Sequence, residues 1–77
     1  MFNELDIVVL TEDIPQDGLE KFDVGTIVHA FPGGSAYVVE FMTPEGTTVA
    51  VSEILPSQMR PVSQTDIAHV RTISKSA

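Results

Sequence analysis

Two short runs of alternating side chains, separated by a proline–glycine turn, constrain the fold of this chain more than any other feature. Residues 37–41 read YVVEF and residues 47–51 read TTVAV. In each run the first, third and fifth side chains share one face of an extended strand, because side chains alternate with a period of two. Residues 43–46 between them have proline and glycine at favoured turn positions. The segment therefore predicts a β-hairpin, with Tyr37, Val39 and Phe41 in the core.

Three further strands are predicted from β-branched content and from the turns that bound them, at residues 7–10, 24–31 and 60–62. Residues 11–22 contain Pro15 and Gly18 and predict a long irregular loop. The sequence PGG at 32–34 predicts a tight turn. Pro56 and Ser57 predict a single 3₁₀ turn before the last strand.

The chain divides into a β domain over residues 1–62 and a C-terminal extension over residues 63–77. Thr65 and Asp66 are residue types that cap helices, so a short helix is one expectation for the extension. An added strand over 67–73 is the other, with a loose end in either case.

Five short strands, a long first loop, tight turns and a 3₁₀ turn before the last strand are the element order of a small SH3-like barrel, an all-β fold. Two motifs carry the resemblance. Residues 55–59, LPSQM, resemble the proline–serine turn that precedes the last strand of SH3 domains. Residues 23–28, DVGTIV, resemble the glycine-centred strand of KOW-type and nitrile-hydratase-β-like barrels.

A wider resemblance runs from about residue 5 to residue 71. The stretches that carry it are VVLTEDIP (8–15), GL (18–19), DVGTIV (23–28), YVVEF (37–41) and PSQMRP (56–61). They are similar to a family of short bacterial and cyanobacterial proteins classed as a domain of unknown function. The resemblance implies an SH3-like barrel and, for some members, a small partner protein encoded beside them in a toxin–antitoxin-like arrangement. Phe22 departs from the family pattern, which usually has glycine at this position.

Composition narrows the classes of partner. Four basic residues stand against eleven acidic ones, a formal net charge of -7, and this field disfavours nucleic acids and anionic membranes. The chain has no cysteine, which excludes disulfides and thiolate zinc sites. The acidic start lacks the features of a signal peptide, and no apolar run is long enough to span a bilayer, so a cytoplasmic location is expected.

The first loop is the candidate binding site, because it carries five carboxylates: Glu12, Asp13, Asp17, Glu20 and Asp23. Such a cluster favours a basic protein partner through electrostatic steering. A solvated loop that only keeps the protein soluble is the alternative, and the spacing does not match a calcium-binding EF-hand. Phe22 and Phe31 flank loops and are candidates for exposed apolar contacts with the partner.

No residue pattern indicates catalysis. His29 and His69 are the only imidazoles, and neither has a second metal ligand at a recognisable spacing. No serine lies in a nucleophile elbow, and Gly33-Gly34 lacks the lysine of a phosphate-binding loop. The sequence predicts no catalytic residue, no metal site and no cofactor.

Three functions remain open at this point. The first is a non-enzymatic protein-binding module, the partner or antitoxin-like neutraliser of a neighbouring gene product. The second is a KOW-like barrel that binds nucleic acid through a local basic patch of Arg60, Arg71 and Lys75. The third is an accessory subunit of an enzyme complex, which rests on analogy of fold alone. A homodimer formed by pairing of a C-terminal strand is compatible with each of them.

Overall fold

The computed structural model describes residues 2–73. Five antiparallel strands form one sheet in the order β4-β3-β2-β1-β5. They are β1 (Ile7–Leu10), β2 (Val24–Ala30), β3 (Tyr37–Met42), β4 (Thr48–Ile54) and β5 (Met59–Pro61). Three 3₁₀ turns, Pro15–Asp17, Pro32–Gly34 and Pro56–Gln58, lie between strands. The first strand therefore pairs with the second and the fifth, as in SH3-like barrels, and the predicted fold class is confirmed.

The core lies on the inner face of this curled sheet. The strand β3, which lies between β2 and β4, contributes Tyr37, Val39 and Phe41, and these side chains are buried as their alternation predicts. Side chains from the other strands and from the first loop complete the cluster: Val8, Leu10, Ile14, Leu19, Ile27, Ile54 and Met59. The core thus draws on every strand of the sheet.

The strand β4 is longer than predicted, and the structure shows which of its two faces is buried. It continues to Ile54, three residues beyond the expected end. Ser52 and Ile54 point inward and are buried, whereas Val49 and Val51 are exposed on the other face. The register explains this result, because Val51 lies opposite Glu40, which belongs to the solvent side of β3. An apolar side of the hairpin therefore faces outward.

Gly25 allows β2 to pass close to β3. A Cβ atom at this position would lie 2.5 Å from Val39 Cγ1 and 2.8 Å from Phe41 Cε2. Both distances are shorter than ordinary van der Waals contact, so any side chain here would displace the core. The glycine at the centre of the DVGTIV stretch is thus explained by packing.

The first loop is more ordered than expected. Ile14 and Leu19 form an isolated bridge, with the Ile14 amide donating to the Leu19 carbonyl at 2.9 Å. Both side chains are buried in the core. Between them the 3₁₀ turn Pro15–Asp17 ends at Gly18, which has a φ of +71°. Two core anchors therefore hold a loop whose polar residues face solvent.

The extension forms neither the expected strand nor the expected helix in its described part, residues 63–73. Asp66 does not cap a helix; it binds the backbone amide of Ser63 at 2.6 Å and both terminal nitrogens of Arg60 at 2.9 Å. These bonds, together with the Asp66 amide donating to the Ser63 carbonyl at 3.1 Å, hold a turn directly after β5. Residues 74–77, where the loose end was expected, lie outside the described part.

Candidate functional site

The five carboxylates of the acidic loop, residues 12–23, divide into two groups. Asp13 Oδ1 accepts a hydrogen bond from the Lys21 amide at 2.8 Å, and Asp23 Oδ2 accepts one from the Glu20 amide at 2.9 Å. The carboxylates of Asp13 and Asp23 thus hold the backbone of the loop in place. Glu12, Asp17 and Glu20 are exposed and make no bond to the loop backbone through their carboxylates; Glu12 accepts a hydrogen bond from the Gln58 side chain at 3.2 Å.

Phe22 lies at the end of the acidic loop in a left-handed backbone conformation, with a φ of +79°. Its amide donates to the Leu10 carbonyl at 2.9 Å, which ties this conformation to β1. The residue is 56% exposed, and the Lys21 ammonium lies 5.1 Å from the centre of its ring. The predicted exposure of Phe22 is confirmed.

Arg71 of the extension is seated on the end of the acidic loop. Its Nε and one terminal nitrogen each lie 2.7 Å from an oxygen of Asp23, a bidentate pair. The same terminal nitrogen donates to the Gly18 carbonyl at 3.1 Å, and the other terminal nitrogen lies 3.6 Å from Glu20 Oε2. The guanidinium group thus donates hydrogen bonds to Asp23 and Gly18 and forms a longer ion pair with Glu20, all on one loop.

The electrostatics of this pair match its geometry. Partial burial acts to raise the pKa of Asp23, but hydrogen bonds from Arg71 and from the Glu20 amide outweigh it and lower that pKa. The bonds to Asp23 raise the pKa of Arg71 further above its already high value. Both groups are therefore charged throughout the neutral range.

A groove of about 640 Å³ opens between the end of the acidic loop and the β3–β4 hairpin. The extension crosses it, with His69, Val70, Arg71 and Ile73 among the lining residues. The floor and walls are largely apolar, and the extension leaves part of this surface exposed. Five apolar residues of the groove are each at least 38% exposed: Ile7, Phe22, Val24, Met42 and Val49. The result is a site that holds one guanidinium group and has exposed apolar surface beside it.

The structure does not bring Phe31 to this site. Phe31 follows the far end of β2, which begins beside Asp23, so the length of the strand separates them. Its ring packs edge-on against His29 with centroids 5.0 Å apart. Nδ1 of His29 lies 3.9 Å from Oε2 of Glu4, whereas His69 lines the groove. Within residues 2–73 no group of three or more histidine and acidic side chains is arranged to hold a metal ion.

The basic residues do not form a free patch in the described part of the chain. Arg60 is paired with Asp66 and Arg71 with Asp23. Lys75, the third residue of the predicted patch, lies outside the described residues. Each of the two arginines is thus neutralised by a carboxylate of its own chain.

Fold and site together define a small SH3-like barrel whose acidic first loop borders an apolar groove. Residues 4–61 match a family described as a domain of unknown function, DUF4926, and the chain belongs to this family. No curated protein and no solved structure matches the chain. In the part of the chain that the structure describes, there is no helix with the length and apolar character to cross a membrane.

Two parts of the site were not found by sequence reasoning. The sequence predicts Arg71 as part of a basic patch and gives no sign of its pair with Asp23, because the two residues are 48 positions apart and no local pattern joins them. The exposed side of the groove was missed because Val49 was placed on a strand face without a sign of which face is buried. The acidic loop itself was found from its composition.

Proposed function

We propose that this protein is a non-enzymatic protein-binding module whose partner presents a basic surface to the acidic loop. One observation carries the proposal: the loop is fixed to the core at Ile14 and Leu19 while three of its carboxylates stay exposed. A pre-ordered loop loses little conformational entropy on binding, which favours recognition. The resemblance to proteins encoded beside a small partner supports a neighbouring gene product as that partner, held in an antitoxin-like arrangement.

Charge and apolar surface complement each other at this end of the barrel. Acidic side chains at a rim accelerate the encounter with a basic partner and fix its orientation. The apolar groove beside them supplies area that gains free energy when it is removed from water. Phe22 lies between the two and is the best candidate for an aromatic contact in the interface.

A nucleic-acid partner receives no support from the arginines. Phosphate binding needs Lys or Arg side chains that are free to neutralise it. Arg60 and Arg71 each have a carboxylate within 2.9 Å, so their release would leave Asp66 and Asp23 without their partners. The exposed carboxylates of the acidic loop would repel a phosphate backbone as well.

The test begins with a tagged pull-down from the native host at moderate salt, followed by mass spectrometry and an affinity measurement with the purified partner. A variant that combines Glu12→Gln and Asp17→Asn removes two exposed negative charges and leaves the bonds of Asp13 and Asp23 intact. We expect partner binding to weaken by about 3- to 10-fold at low salt, mainly through slower association.

The matched control combines Glu4→Gln and Glu53→Gln, which changes the net charge equally on exposed residues away from the loop. The control should retain wild-type affinity. Equal affinity of both double variants would reject the acidic loop as the binding surface. Recovery of RNA or DNA in place of a protein would reject the proposal as a whole.

A further inference from the structure

We propose that the groove between the acidic loop and the β3–β4 hairpin binds an extended peptide segment of a partner protein. This segment has an arginine followed two residues later by an aliphatic residue. Residues 71–73 of this chain occupy the groove until the partner displaces them. The role of the groove as a peptide site rests on the proposed protein-binding function. It adds the chemistry of the partner and a competitor within the chain.

The occupant of the groove defines the chemistry that the groove accepts. The bidentate bonds of Arg71 to Asp23 and its bond to the Gly18 carbonyl form a receptor for a planar guanidinium, which a lysine ammonium cannot match. Ile73 is two positions further on and is half-buried in the same groove. In an extended segment these two side chains point the same way.

The occupant is held weakly, which makes displacement feasible. Within residues 2–73 no backbone hydrogen bond joins residues 67–73 to the barrel. Ile67 and Val70 are 92% and 81% exposed, so they add almost no buried apolar area. Within the groove, the attachment depends on the contacts of Arg71 and on the partly buried side chain of Ile73.

The groove is also larger than its occupant. About 640 Å³ remains open with the extension in place, beside Val24, Met42 and Val49, which are 47%, 46% and 38% exposed. A partner segment with bulkier apolar side chains around its arginine would cover this surface. The additional buried area would let such a segment replace residues 71–73.

The competitor in the chain has a measurable effect on affinity. A tethered segment competes at an effective concentration in the millimolar range, so it lowers the apparent affinity of any free segment for the same groove. Replacement of its arginine should leave the groove free for another segment. Arg71 is thus a positioning residue for the extension, and its loss should strengthen binding of a free peptide.

The experiment uses the full chain and a labelled synthetic peptide that reproduces residues 67–73, IAHVRTI, with binding followed by fluorescence anisotropy. We expect the Arg71→Ala chain to bind the peptide at least about 10-fold more tightly than wild type. The Arg71→Lys chain should fall between them. An Arg60→Ala chain, which loses the ion pair between β5 and Asp66 outside the groove but keeps Arg71, should bind the peptide more weakly than the Arg71→Ala chain does.

Two further variants assign the binding to the groove. A peptide in which the arginine is replaced by lysine should bind the Arg71→Ala chain more weakly than the original peptide does. Introduction of Met42→Lys into that chain places a positive charge in the groove, on a residue that is already 46% exposed, and should remove binding. Circular dichroism of each chain confirms that the barrel is folded.

Failure of the peptide to bind the folded Arg71→Ala chain would overturn the proposal, and so would equal affinity for that chain and for wild type. A wild-type dimer that dissociates on Arg71→Ala would assign the groove to the extension of a second copy and overturn occupation within one chain. None of these results bears on the Glu12 and Asp17 double variant, whose effect on partner binding tests the acidic loop separately.

Discussion

Phe22 holds a backbone conformation that glycine adopts more readily than any other residue. Its φ of +79° brings the Cβ atom close to the carbonyl oxygen, at a cost of about 1 kcal/mol. The ring does not recover this cost by burial, because the residue is 56% exposed. Glycine would avoid the strain. The proposed contact with a partner would account for an aromatic residue at this strained and exposed position.

We expect the substitution Phe22→Gly to raise the stability of the barrel and to weaken its binding. Relief of the positive φ should outweigh the greater freedom of glycine in the unfolded chain, for a net gain of about 0.5 kcal/mol. The thermal midpoint should rise by roughly 2–4 °C in a domain of this size. Differential scanning calorimetry measures the first effect, and titration with the partner measures the second.

Phe31→Gly is the matched control for this change. Phe31 has an ordinary φ of -77°, so glycine relieves nothing there. Its ring also packs against His29. The control should lower the thermal midpoint and leave partner binding unchanged. A loss of stability in the Phe22→Gly chain would show that the exposed ring supports the loop more than the backbone strain opposes it.

At the scale of a single element, β4 separates a structural face from a surface face. Ile54 is fully buried, whereas Val51, three residues before it, is 58% exposed. We expect Ile54→Ala to lower the free energy of unfolding by about 2–4 kcal/mol, since it leaves a cavity in the core. Val51→Ala should cost less than about 1 kcal/mol. Urea denaturation of the two variants measures both values.

A larger loss for Val51→Ala than for Ile54→Ala would mean that β4 presents its other face to the core. That reversal would also bury Val49 and remove one wall of the groove. The comparison therefore tests the orientation of β4 and the existence of the groove in one measurement.

Hydrophobic periodicity was sufficient to find the strands but not to orient all of them. In β3 the alternating set contains Tyr37, Val39 and Phe41, and large apolar side chains identify the buried face without ambiguity. In β4 the inner set contains Ser52, while the outer set contains Val49 and Val51. The sequence pattern alone favours the wrong face here, because only the register with β3 decides the matter.

The candidate site follows the same division between local and long-range information. The acidic residues of the first loop are adjacent in sequence, so composition alone identified them. The pair of Asp23 and Arg71 joins residues 48 positions apart, and the extension that brings them together has no helical or strand pattern. Only the three-dimensional structure could therefore reveal the groove and its occupant.

For the whole molecule, two ion pairs tie the extension to the barrel and make its stability depend on pH. Hydrogen bonds from Arg60 and from the Ser63 amide hold the pKa of Asp66 far below its usual range, and the pKa of Asp23 is also lowered. A carboxyl group with a lowered pKa in the folded state stabilises that state above its unfolded pKa, about 3.9. This contribution is lost as the pH falls through the lowered value.

We therefore expect the contribution of these pairs to the free energy of unfolding to be constant from about pH 8 to pH 5. The contribution should decline below about pH 4. In the Asp23→Asn chain, the part of this decline that belongs to Asp23 should be absent. Denaturant titrations at several pH values measure the difference.

Asp17→Asn is the control, because Asp17 makes no side-chain hydrogen bond within residues 2–73. It loses the same charge, so it corrects for the general repulsion of a chain with a net charge of -7. Identical pH profiles for the Asp23 and Asp17 variants would contradict a stabilising pair between Asp23 and Arg71.

The position of Arg71 on the acidic loop also affects proteolysis of the chain. Proteases of the trypsin class must take an arginine side chain into their own acidic pocket before they cut the bond that follows it. While Asp23 holds the guanidinium of Arg71, that side chain is not available to them. The rate of cleavage after Arg71 therefore reports the fraction of molecules in which the groove is open. One cut would remove Ile73 from the chain and leave Arg71 attached to the barrel, so the extension would lose its aliphatic contact in the groove and keep its ion pair with Asp23.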